Sequence, residues 1–62
     1  MTTDRIRANI DKQEDRLRAA RATQRNAAFR GQYDRAACEE ERKAATRLYN
    51  LRCALKRAEV TA

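Results

Sequence analysis

The chain has 62 residues, and it contains one glycine, Gly31 at its centre, and no proline. A residue without a Cβ atom tolerates the left-handed backbone conformation that commonly ends a helix. Asp34 follows closely and is a favourable N-cap for a second helix. The residues on both sides are mainly strong helix formers. The sequence therefore predicts one all-α domain over residues 1–62, with a helix at about 3–30, a turn at about 31–33 and a helix at about 34–59.

Each predicted helix carries a stripe of mostly apolar or small residues spaced three and four apart, which is typical of a helix with one buried face. The first stripe consists of Ile6, Ile10, Gln13, Leu17, Ala20, Gln24 and Ala27. The second consists of Ala37, Glu41, Ala44, Leu48, Leu51, Leu55 and Ala58. Folding back at Gly31 brings the bulky residues together at the open end and the alanines together near the turn. This size sorting predicts an antiparallel helical hairpin.

Two other structures are compatible with this composition. One is an uninterrupted helix in a long coiled coil, because a coiled coil can absorb the change of phase at Gly31 as a stutter. The other is disorder, since 39% of the residues are charged and few are aromatic. The regular stripes argue against disorder, and the change of phase at the glycine favours the hairpin.

A single hairpin of this length buries little apolar surface without a partner. Further small or apolar residues flank both stripes, and two apolar faces on each helix are typical of a bundle of more than two helices. We therefore expect a homodimer in which two hairpins form a four-helix bundle. The expected dimer-interface residues are Cys38, Leu48, Tyr49, Leu51, Cys53 and Leu55.

Residue types that carry catalysis or hold metals are scarce. The chain has no histidine and no serine, and two cysteines are too few ligands for a zinc site. Cys38 and Cys53 are separated by roughly 22 Å along one helix, which is too far for an intrachain disulfide, and no base is placed to activate either thiol. The sequence therefore predicts a protein that is not an enzyme, with no catalytic residues, metal site or cofactor.

Neither a signal peptide nor an apolar run of about 18 residues is present. We therefore expect a cytoplasmic protein with reduced thiols and no membrane contact.

Positive charge is the strongest functional signal. The net charge is +6, and twelve of the fifteen basic residues are arginines. Arginines in a row on one helical face can grip phosphates through paired hydrogen bonds, and aromatic residues near a turn can stack on an unpaired base. The candidate nucleic-acid-binding residues are Arg18, Arg21, Arg25, Phe29, Arg30 and Tyr33.

The same charges also have a structural explanation. In the hairpin, the arginine-rich half of the first helix lies beside Glu39, Glu40 and Glu41, so a solvated, salt-bridged surface would account for them. The protein would then be a protein-binding adaptor or inhibitor that docks through a helical face or through the turn.

In length and predicted layout the chain resembles the Rop family of plasmid RNA-binding regulators, which are dimers of helical hairpins. The resemblance covers the layout only, and no functional residue is transferred from it. A regulator of this kind could be encoded by a phage or a plasmid. The charge favours a small non-enzymatic protein that contacts RNA or DNA phosphates through its arginine-rich helix, with the adaptor as the alternative.

Overall fold

The computed structural model describes residues 2–61, which form two helices, α1 (Thr3–Phe29) and α2 (Arg35–Thr61). The helices pack against each other along their length in a hairpin that measures 49 × 14 × 12 Å. The predicted helical hairpin is confirmed, and the uninterrupted helix is excluded. Within residues 2–61, neither helix has the length and apolar character that crossing a membrane requires.

Side-chain caps fix the start of both helices. The backbone N–H of Arg5 donates to Thr2 Oγ1 over 3.3 Å at the start of α1. The backbone N–H of Ala37 donates to Asp34 Oδ1 over 3.0 Å at the start of α2. Each cap satisfies a backbone donor that has no partner within the helix. Asp34 therefore acts as the predicted N-cap, so α2 begins one residue later than the sequence suggested.

The turn depends on the single glycine. Gly31 has a φ of 71°, and no other residue within 2–61 has a positive φ. Its N–H donates to Ala28 O over 2.9 Å, and the N–H of Gln32 donates to Ala27 O over 2.8 Å. These two bonds form a Schellman motif, which satisfies the last carbonyls of a helix and reverses the chain direction.

The core is sorted by size along the hairpin, as predicted. At the open end Ile6, Ile10 and Leu48 form a buried cluster, against which half-buried leucines pack. Nearer the turn the buried residues are alanines, namely Ala20, Ala27, Ala37 and Ala44. Small side chains allow two helices to approach closely, and the turn that joins α1 to α2 is short enough to require such an approach.

Two glutamines of the buried stripe have different environments. Gln24 Nε2 donates to Ala37 O over 3.4 Å, and its Oε1 accepts from Cys38 Sγ over 3.4 Å. Gln13 is only 8% exposed, and its buried Oε1 has no hydrogen-bond partner within residues 2–61. A buried acceptor without a partner costs free energy, so Gln13 is a weak point of the core.

Candidate nucleic-acid interface

An open groove runs between α1 and α2 on one side of the hairpin. It is lined by four arginines, one glutamate and four uncharged residues: Arg18, Arg21, Arg25, Arg52, Glu14, Gln24, Leu17, Ala45 and Leu48. We call it the arginine groove. Arg18, Arg21 and Arg25 follow one another at helical spacing and therefore form one row along α1. Arg52 adds a fourth guanidinium from α2.

The four arginines differ in how far acids neutralise them. Arg21 Nε donates to Glu41 Oε2 across the two helices over 3.0 Å. This hydrogen bond, with a smaller contribution from the Gln24 amide, lowers the pKa of Glu41. Arg18 lies 3.4 Å from an Asp15 carboxylate oxygen, in a pair whose side chains are both more than 70% exposed. Such an exposed pair contributes little free energy, so a phosphate can replace the carboxylate.

Arg25 and Arg52 are the freest cations of the arginine groove. Within residues 2–61, no carboxylate oxygen lies within 4.0 Å of either guanidinium. In that part of the chain, four of the twelve arginines form ion pairs: Arg7, Arg18, Arg21 and Arg35. Salt bridges therefore account for a minority of the arginines and leave two guanidinium groups open in the groove.

The groove side of α2 carries a second row of residues, spaced three and four apart. This α2 row consists of Arg42, Ala45, Tyr49, Arg52 and Lys56. Ala45 and Arg52 line the arginine groove. Tyr49 falls between them in the row at helical spacing, and 70% of its surface is exposed. The row places an aromatic ring among cations.

At the turn, two aromatic side chains are open to solvent. Phe29 is 95% exposed and Tyr33 is 77% exposed. Tyr33 borders one shallow depression together with Arg25 and another together with Arg42. It therefore connects the arginine groove with the start of the α2 row.

The structure brings together three of the six predicted nucleic-acid-binding residues, Arg18, Arg21 and Arg25, and places Tyr33 next to Arg25. Arg30 follows the last residue of α1 as its C-cap, where its N–H donates to Ala27 O over 3.1 Å. Neither Arg30 nor Phe29 lines the groove.

Sequence reasoning did not assign Arg42, Arg52 or Tyr49 to this surface. Their three-and-four spacing was a visible signal, but the packing of α1 on α2 decides which flank of each helix faces the same side.

The predicted dimer-interface residues lie in several environments. Leu48 is 3% exposed within the hairpin itself, and Leu51 and Leu55 pack half-buried against the same core. The two free thiols, Cys38 and Cys53, are half-buried. Tyr49 and Cys38 fall on the same side of α2 as the arginine groove. A dimer that used both would therefore cover the groove.

Residues 2–61 hold no group of three or more His, Cys, Asp or Glu side chains arranged to bind a metal ion. No protein-family model matches the chain, and neither a curated protein nor a solved structure shows significant similarity to it. Its function is therefore inferred from its own residues and their geometry.

Proposed function

We propose that the protein is a small non-enzymatic regulator that binds the phosphates of RNA or DNA in the arginine groove. The observation that carries this proposal is the convergence of four guanidinium groups on a groove that one acidic residue, Glu14, lines. Of the four, Arg21 is hydrogen-bonded to Glu41. Guanidinium forks match phosphate oxygens in paired, charge-assisted hydrogen bonds, which a lysine ammonium does not provide.

The dimensions of the row suit a nucleic-acid backbone. Arg18 and Arg25 are seven residues apart on α1, which corresponds to roughly 10 Å along the axis at 1.5 Å per residue. Successive phosphates of one strand advance by about 3.4 Å along a duplex. The α1 row therefore spans about three nucleotide steps, and Arg52 extends the contact towards α2.

The salt dependence of binding tests this proposal. We expect protein titrated into a labelled 12-bp DNA duplex to lose affinity steeply between 50 and 200 mM KCl. For three phosphate contacts, from Arg18, Arg25 and Arg52, the slope of log affinity against log salt is about −2.7, which is a loss of about 40-fold.

The matched variants are Arg25→Gln and Arg47→Gln, which remove the same charge from opposite sides of the hairpin. Arg47 lines a shallow depression with Gln13 and Leu51, away from the arginine groove. We expect Arg25→Gln to flatten the slope by about 0.9, and Arg47→Gln to leave it nearly unchanged. Equal effects of the two variants, or no salt-sensitive binding to RNA or DNA below ~100 μM, would contradict the proposal.

We also propose that two hairpins associate as a homodimeric four-helix bundle. Leu51, Ala54, Leu55 and Ala58 remain half-buried in one chain, and so small a domain gains much from burying them in a partner. Association on the Leu51 side leaves the arginine groove open. Sedimentation should give a dimer at micromolar concentration, and Leu51→Arg should give a monomer. A folded wild-type monomer would refute this part.

The adaptor or inhibitor function has an observation of its own, the nearly complete exposure of Phe29 at the turn. Large apolar side chains at the surface can mark a protein-binding site. On that alternative, the protein binds no nucleic acid, and Phe29→Ala abolishes binding to its protein partner while the arginine variants retain it.

A further inference from the structure

We infer that the nucleic acid bound in the arginine groove is unpaired, with its bases stacked on Tyr33 and Tyr49. This inference rests on the proposed function and narrows it to single strands or unpaired loops.

The first argument comes from the exposure of the two tyrosines. Tyr49 is 70% exposed and Tyr33 is 77% exposed, so neither ring contributes much apolar burial to the hairpin. Both residues lie beside the cationic surface. Tyr49 shares one face of α2 with the groove residues Ala45 and Arg52, and Tyr33 lines a depression together with Arg25. An aromatic ring beside phosphate-binding cations is the arrangement that binds single-stranded nucleic acid.

The second argument comes from what a duplex offers to such a surface. Base pairs in a duplex expose only their edges in the grooves, because their faces are stacked on one another. The two exposed tyrosine rings find no base face there. Unpaired nucleotides present their faces and can stack on tyrosines whatever their sequence.

The spacing of the rings sets the length of strand required. Tyr33 precedes α2, and Tyr49 lies fourteen residues after its first residue, Arg35, which corresponds to roughly 20 Å along the helix axis at 1.5 Å per residue. A stacked strand advances about 3.4 Å per nucleotide, so about six steps connect the rings. A 12-nucleotide strand therefore reaches both tyrosines and the arginines between them.

The cations beside the rings suit such a path. Arg25 and Arg42 lie near Tyr33, and Arg52 lies near Tyr49 along the α2 row. Within residues 2–61, no carboxylate oxygen lies within 4.0 Å of any of these three guanidinium groups. Each can therefore neutralise a phosphate between two stacked bases.

The test compares labelled single-stranded 12-mers of DNA and of RNA with the 12-bp duplex, at one salt concentration and with the full chain. We expect at least one single strand to bind ten-fold or more tightly than the duplex. Tyr49→Ala should weaken single-strand binding by about 5- to 150-fold, the effect of losing one stacked base. Tyr49→Phe keeps the ring and should stay within about two-fold of wild type.

Further measurements distinguish a loss of base stacking from a loss of charge and from a loss of folded structure. Tyr49→Ala should leave the salt slope unchanged, whereas Arg25→Gln should flatten it by about 0.7 on a single strand. Val60→Ala removes another exposed apolar side chain, 78% exposed near the end of α2, and should have no effect on binding. Circular dichroism should show unchanged helicity for all four variants.

The possible failures are distinguishable. Equal affinity for duplex and single strands, with Tyr49→Ala binding like wild type, overturns the inference about unpaired bases and leaves the phosphate-binding proposal intact. An absence of salt-sensitive binding to any of the three probes overturns both.

Discussion

Gln13→Leu tests the structure most directly, because the buried Gln13 amide is the least satisfied group of the core. Its side chain is 8% exposed, and Oε1 lacks a hydrogen-bond partner within residues 2–61. Exchanging the amide O and N would bury a donor in place of the acceptor, so it gives no relief. Leucine is of similar size, and it would extend the apolar stripe between Ile10 and Leu17.

The expected gain follows from the cost of the unpaired oxygen. Leaving one buried acceptor without a partner costs about 1–3 kcal/mol, and Gln13→Leu removes that acceptor. For a domain of this size, 1 kcal/mol changes the melting temperature by about 4–8 °C. We therefore expect Gln13→Leu to raise the free energy of unfolding by about 1–3 kcal/mol and Tm by about 10 °C. Thermal and urea unfolding, monitored by circular dichroism at one fixed protein concentration, measure both.

Gln24→Leu is the matched control, because it is the same change at the second glutamine of the same stripe. Both ends of the Gln24 amide have partners, Ala37 O and Cys38 Sγ. Replacing it leaves the carbonyl without this donor, so we expect unchanged or reduced stability. A loss of stability in Gln13→Leu would refute the reasoning, and would mean that Gln13 Oε1 has a partner in solution, for which a second hairpin is the natural source.

The remaining predictions concern the turn, the interhelical ion pair and the core. Gly31→Ala should lower the free energy of unfolding by about 1 kcal/mol. The cost comes from backbone strain at a φ of 71°, since an added Cβ would meet nothing within 4 Å. Gly31→Asn should lose less, because asparagine tolerates this conformation better. The hydrogen bond from Arg21 lowers the pKa of Glu41 in the folded state. The hydrogen bond should therefore stabilise the fold above the ordinary Glu pKa of 4.5, and this stabilisation should be lost as the pH falls through the lower folded pKa. Unfolding measured from pH 7 to 3 should show a smaller loss of stability in Arg21→Gln than in the wild type. Leu48→Ala should lower the free energy of unfolding by about 2–5 kcal/mol, as measured by chemical denaturation. This loss should be larger than that of Leu51→Ala, unless a dimer buries Leu51 equally.

The sequence predicted the fold because its signals are local and agree with one another. The chain has a single glycine, an N-cap residue three positions later, and one mostly apolar stripe on each side of the turn. Together these features favour one hairpin. All fourteen stripe residues are buried or half-buried in the structure. The helix ends differ by one or two residues from the prediction, since capping bonds decide whether residues such as Arg30 and Asp34 count as helical.

The surface was less predictable, because it depends on how one helix is rotated against the other. The α1 row of Arg18, Arg21 and Arg25 was visible in the sequence, since these residues share one helix. The α2 row belongs to the same surface because the packing of the helices brings Ala45 and Arg52 into the groove with the α1 row. For the same reason, the sequence predicts Tyr49 at a dimer interface, whereas in one hairpin it falls on the same side of α2 as the arginine groove.

Because Tyr49 falls on the groove side of α2, dimerisation through Tyr49 and exposure of the arginine groove exclude each other. If two chains pack through Tyr49 and Cys38, the arginine groove is covered. Arg25 and Arg52, which have no ion-pair partner within residues 2–61, are then buried as unpaired charges, and this is costly. If they pack through the half-buried Leu51 and Ala58, the apolar residues are covered and the cations of the arginine groove stay in water. The second arrangement buries apolar surface and avoids burying the cations of the arginine groove. A dimer of this kind would present one arginine groove on each hairpin, and the second groove would strengthen binding to any strand long enough to reach both.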